Sequence, residues 1–134
     1  MDSLRRVLYL QAALLFLAGT ALAVAPTAVV PHLFGTPAEL VAEPAWVRIA
    51  GVEAIGLSML HVLVAHRVEQ LWWWAWGFAV TTVGLAAVVL LNAAFGLSGM
   101  ESKLAWWLFA IVLVGLSFGL LYGLFVSSRE QPLP

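Results

Sequence analysis

The chain has no cysteine among its 134 residues, which removes disulfides, thiolate metal sites, iron–sulfur clusters and redox-active thiol pairs. The disulfide-exchanging four-helix membrane enzymes go with them. Charge is also scarce, since six basic and seven acidic residues make up only 10% of the chain, against roughly 25% in a soluble domain. Lys103 is the only lysine, and Arg5-Arg6 is the only basic pair, so there is no electrostatic footprint for nucleic acid. The polar residues contain no catalytic triad, phosphate loop or His-Glu-x-x-His pattern. We therefore expect no catalytic residues, no bound metal and no cofactor.

What the chain has in abundance is apolar length. Hydrophobic residues are 63% of it, and the mean hydropathy is +1.02. A bilayer core of roughly 30 Å needs about 20 mostly apolar residues in helix. Four such runs can be counted, at about 7–25, 46–65, 71–95 and 104–126. The fold class is thus all-α: a polytopic membrane protein with four transmembrane helices in an antiparallel bundle and one domain over 1–134. Arg5-Arg6 before an apolar core, followed by Ala21-Leu22-Ala23, also describes a cleavable secretory signal. The apolar run is longer than a usual signal core, so we expect it to be kept as the first span.

Lysine and arginine in short loops set orientation. With the N-terminus inside, Arg5, Arg6, Arg67 and Arg129 lie at cytoplasmic ends, while Arg48 and Lys103 lie outside. Both termini are therefore expected to be cytoplasmic. Tyr9, Trp72, Trp73, Trp74, Trp76 and Tyr122 fall near the inner interface, and Trp46, Trp106 and Trp107 near the outer one, as aromatic belts do. Adjacent helical residues diverge by about 100°, so Trp72-Trp73-Trp74 cannot form one aromatic cage. Pro26 and Pro31 should end the first span, Pro37 to Ala42 could form a short interfacial helix, and His66 to Gln70 should be a tight turn.

Helices in lipid recognise one another through small residues and polar groups. Gly115, Gly119, Gly123 and Ser127 recur at intervals of four in the last span, a groove expected to face the bundle interior or a second copy. Gly56-Leu57-Ser58 recurs as Gly115-Leu116-Ser117, an echo that would fit two tandem helical hairpins but that a chain rich in Leu, Gly and Ala also produces by chance.

The second span alone carries charges inside it, Arg48 and Glu53. An ionisable group at the centre of a span costs roughly 2.5–3.5 kcal/mol on insertion scales, so it needs relief or has a use. Glu53 lies roughly 10 Å below the outer boundary. Together with Ala50, Leu57 and His61 it occupies a sector of about 80° on the helical wheel, a strip expected to face the interior. Arg48 is about 140° away from Glu53 and should snorkel to the outer interface. The bland reading of Glu53 is a carboxyl hydrogen-bonded to Gln11, Thr20, Thr81 or Thr82; the functional one makes Glu53, His61, Arg48 and Gln11 candidates for binding a ligand or carrying a proton. His61 is read as a hydrogen-bonded packing residue, since a transmembrane haem would need a second axial ligand at similar depth.

The segment Arg48-Ile49-Ala50-Gly51-Val52-Glu53-Ala54-Ile55-Gly56-Leu57 resembles the second helix of the DoxX-like group of small bacterial four-helix membrane proteins. In that group a glycine, a glutamate and another glycine recur in an aliphatic run. The resemblance covers about a tenth of the chain and leaves the other three spans unmatched. It implies a bacterial inner-membrane location and transfers only Gly51, Glu53 and Gly56, without a catalytic role. Three functions follow: a non-enzymatic accessory subunit or binder of a hydrophobic molecule such as a quinone or lipid, a small proton-coupled exporter using Glu53, or an intramembrane enzyme acting on a lipid or terpenoid. The small multidrug transporters keep their glutamate in the first helix, and the glutathione-using membrane enzymes have Asn-x-x-Glu where this chain has Ala50. The first reading is the one we carry forward, with the bilayer, a hydrophobic small molecule, and a membrane-protein partner or second copy as expected partners.

Overall fold

A chain in lipid must satisfy its backbone hydrogen bonds internally, so it crosses as helix. The computed structural model describes residues 1–34, 44–96 and 103–130, and among them every regular element is helical. In order these are α1 (Asp2–Val24), α2 (Pro26–Phe34), α3 (Pro44–His66), the single turn α4 (Val68–Leu71), a 3-10 turn at Trp72–Trp74, α5 (Ala75–Leu91), a π-helical turn at Asn92–Gly96, and α6 (Lys103–Glu130). Four stretches are long and apolar enough to cross a membrane: Asp2–Val24, Ala45–His66, Val68–Gly96 and Lys103–Arg129, with mean hydropathies of 1.7 to 2.4. The surface agrees with a lipid environment, because large apolar side chains such as Val80 and Phe118 are each 71% exposed.

Several boundaries differ from the expected ones for local reasons. Helix α1 begins at Asp2, whose carboxylate sits favourably in the first turn, and it includes the arginine pair. Pro26 does not end helical structure but opens α2, as a first-turn proline can. The break is at Ala25, whose carbonyl accepts the amides of Ala28 and Val29, each at 3.1 Å. Pro31 lies inside α2. The turn after α3 is shorter than expected: within residues 66–70 only Arg67 leaves helical geometry, at φ −110° and ψ 36°. The interfacial helix expected over 37–42 lies outside the described residues, as do residues 97–102 between the last two spans.

Packing runs hairpin by hairpin. The most extensive contact joins α1 to α3, followed by α5 with α6 and then α1 with α6. At the end that holds Asp2 and Arg129, all four spans share one core: Leu4 and Leu8 of α1, Val64 and Ala65 of α3, Val68, Trp72, Ala75 and Ala79, and Leu120 and Leu124 of α6. Trp72 is thus a core residue and not part of an aromatic belt, whereas Trp73, Trp74 and Trp76 are exposed. Towards the other end the buried cluster draws only on α5 and α6, through Ala86, Val89, Ala110 and Leu113.

There α1 and α3 meet through glycine. A Cβ on Gly51 would lie 2.6 Å from the Ala23 amide nitrogen and the Gly19 carbonyl oxygen, and one on Gly19 would lie 2.7 Å from the Gly51 carbonyl. The backbones touch because neither residue has a side chain. In α6 the glycines divide: Gly123 faces the Leu4 backbone, with a Cβ at 2.9 Å from its Cα, Gly119 faces Val7, and Gly115 faces open space. Helix α1 therefore lies in the lower part of that groove.

Candidate functional site

Between α1 and α3 the helix surfaces form an apolar groove of about 680 Å³, lined by Tyr9, Ala12, Ala13 and Phe16 on one side and Ser58, Met59, Val62, Leu63 and His66 on the other. Its origin is a difference in side-chain size. Gly19 against Gly51 and the Arg5 side chain on the Ala65 carbonyl fix the antiparallel register, which sets Ala12 beside Ser58. These two buried small residues make the floor, and the larger Tyr9, Phe16, Met59 and Leu63 make the walls. A second pocket of about 430 Å³ adjoins it, lined by Arg5, His66, Arg67, Glu69 and Gln70. His66 belongs to both.

The polar pocket is organised by Arg5. Its Nε donates to the Ala65 carbonyl at 3.3 Å, one of the last-turn carbonyls that α3 cannot satisfy within itself. One Nη donates to Glu69 at 3.2 Å, and the other lies 3.6 Å from Asp2. Neither the Arg67 guanidinium nor the His66 ring has a hydrogen bond or ion pair among the described residues.

The residues expected to carry chemistry are not gathered in one place. Glu53 is exposed, about 200° around α3 from Gly51, where α1 packs. It does not face the interior, and it makes no hydrogen bond with Gln11, Thr20, Thr81 or Thr82. Arg48 is exposed as well. Gln11 is buried and uses its amide on another helix: Nε2 donates to Thr82 Oγ1 at 2.5 Å, and the Thr82 hydroxyl donates to the Phe78 carbonyl at 2.7 Å. Gln11 Oε1 is buried without a partner.

His61 is buried and stacks on Phe78 of α5, with ring centroids 3.8 Å apart and planes 20° from parallel. Its Nδ1 lies 2.7 Å from the Leu57 carbonyl; a carbonyl only accepts, so Nδ1 carries the proton. Nε2 is buried and unpartnered. The strip of Ala50, Glu53, Leu57 and His61 is thus covered only at His61, where α5 lies against it, while Ala50, Glu53 and Leu57 are exposed. Among the described residues no three His, Asp or Glu side chains converge.

Charges within the spans do not point to the groove, because Ala12, Ala13 and Ser58 carry no chemical signature. Gly19 and Ala23, four residues apart, were a readable sign of the α1–α3 approach. Comparison of the chain with protein-family models, with characterised proteins and with solved structures gave no match.

Proposed function

We propose that this membrane protein binds a hydrophobic molecule in the α1–α3 groove and serves as a non-enzymatic accessory component of a bacterial inner membrane, with both termini cytoplasmic. The groove carries the reading. Its volume falls within the roughly 300–1,000 Å³ of small-molecule sites, and it opens sideways to the bilayer, the phase in which a quinone or lipid is dissolved. The likeness of residues 48–57 to the DoxX-like helix and the arginine distribution support the location and orientation. The exposed Glu53 supports an accessory role, since a carboxyl at that depth is relieved when another membrane protein covers α3.

The test is extraction. Protein purified in mild detergent, denatured with organic solvent and analysed by mass spectrometry should release a hydrophobic compound at near-stoichiometric amount. Ala13→Trp, which fills the groove from its open side, should deplete that compound while the protein still purifies folded and monodisperse. Absence of any such compound from the native protein, before and after incubation with lipid and quinone extracts, would refute the reading.

A further inference from the structure

The apolar groove and the polar pocket meet at His66, and their relative placement bears on the shape of a ligand. Along α3 the groove runs from Ser58 to His66, about 12 Å at 1.5 Å per residue. One leaflet of a hydrocarbon core of roughly 30 Å is about 15 Å deep. The groove thus occupies most of one leaflet, with its polar end at the surface that holds Asp2 and Arg5. A molecule that fills both spaces has an extended apolar tail directed to the midplane and a polar head at Arg67.

Charge selects the head. Two arginines line the polar pocket against one carboxylate, Glu69, and that carboxylate is already held by Arg5 at 3.2 Å. Asp2, outside the pocket, is also drawn to Arg5. The Arg67 guanidinium and the Gln70 amide stand at the head of the groove without a partner among the described residues. A guanidinium is a fork of donors suited to the paired oxygens of a phosphodiester. A neutral quinone ring offers it no counter-charge, and a choline head brings a second cation beside it.

We infer that the α1–α3 groove is a binding site for an anionic glycerophospholipid, with one acyl chain between α1 and α3 and the phosphodiester on Arg67, beside His66 and Gln70. This rests on the reading of the groove as a hydrophobic site and adds the class of ligand. Basic pockets between transmembrane helices at a membrane surface take acidic lipid heads on the same grounds.

Native mass spectrometry of the full chain, released from neutral detergent after incubation with phosphatidylglycerol or phosphatidylcholine of identical acyl chains, tests it. One arginine near the surface corresponds to about a fivefold preference for the anionic lipid. Arg67→Gln should abolish the preference by lowering phosphatidylglycerol retention more than phosphatidylcholine retention, Arg67→Lys should keep most of it, and Ala13→Trp should lose both lipids. Equal retention of the two lipids by the native protein, with both lost in Ala13→Trp, would overturn the anionic assignment and leave the hydrophobic site standing. Retention of neither lipid would overturn the inference, and the reading of the groove as a hydrophobic site would then stand or fall on the extraction. Displacement of phosphatidylglycerol by millimolar inorganic phosphate would also overturn the inference, by assigning the pocket to a free anion.

Discussion

The backbone contact of Gly19 with Gly51 gives the sharpest test of how α1 and α3 are held together. In Gly51→Ala the new Cβ would meet the Ala23 nitrogen and the Gly19 oxygen at 2.6 Å. Both are backbone atoms, so no rotamer change relieves the contact. Reaching the 3.4 Å at which ordinary contact begins requires the helices to part by about 0.8 Å, and a gap of that size forfeits roughly a quarter to a half of the dispersion energy of each contact it opens. Overpacking of this kind costs about 1–3 kcal/mol.

Alanine also gains about 0.8–1.0 kcal/mol of helix propensity over glycine, which would mask part of the loss. Gly56→Ala supplies the correction, because it lies in the same helix with nothing within 4 Å of its would-be Cβ. The propensity gain is common to both variants, so their difference isolates the packing cost. Unfolding in mixed micelles by titration with SDS, followed by tryptophan fluorescence, should place Gly51→Ala about 1–3 kcal/mol below Gly56→Ala. Gly19→Ala should force the same separation, and the double variant Gly19→Ala/Gly51→Ala should cost less than the sum of the singles. Equal stability of Gly51→Ala and Gly56→Ala would refute the glycine crossing.

Three further outcomes follow from the geometry. Thr82→Val should destabilise more than Gln11→Leu in the same titration, because it leaves the buried Gln11 amide with neither end paired, a cost of about 1–3 kcal/mol, whereas Gln11→Leu leaves the Thr82 hydroxyl its bond to Phe78; the reverse order would deny the α1–α5 hydrogen bond. Glu53→Leu should be at least as stable as the native chain, since nothing packs on the carboxyl, and a loss above about 1 kcal/mol would mean that a partner covers it in the purified protein. For orientation, Arg6→Cys should be protected from an impermeant thiol reagent in intact cells and Ala45→Cys should react, the opposite pattern placing the termini outside.

How much of this was legible depended on whether a property belongs to one helix or to two. The four spans are properties of single segments, and apolar length reveals them, with boundaries misplaced where a proline, an arginine pair or a short polar stretch is helical, at Pro26, Arg5-Arg6 and Val68–Gln70. The glycine repeat of α6 was also visible, but which of its members faces a neighbour depends on where Leu4 and Val7 of α1 lie. The polar strip of α3 shows the same limit more sharply. A helical wheel gives the direction of Ala50, Glu53, Leu57 and His61, and His61 does meet Phe78 of α5. It does not show whether the neighbouring helix stays alongside for the length of the strip. At the Asp2 end, Leu4, Leu8, Trp72, Leu120 and Leu124 fill a shared core and hold the four spans together. Towards the other end α1 and α3 close on each other through Gly19 and Gly51, α5 and α6 close through Ala86 and Ala110, and Glu53 is left outside both pairs. The groove arises from the same competition. Because small residues draw α1 and α3 together at one point, the bulkier side chains flanking Ala12 and Ser58 stand apart elsewhere, and the space between them ends beside Arg67. Charged residues within the spans therefore do not mark the candidate site, which is apolar from Ala12 to Leu63 and charged only at the end that holds Arg5, Arg67 and Glu69.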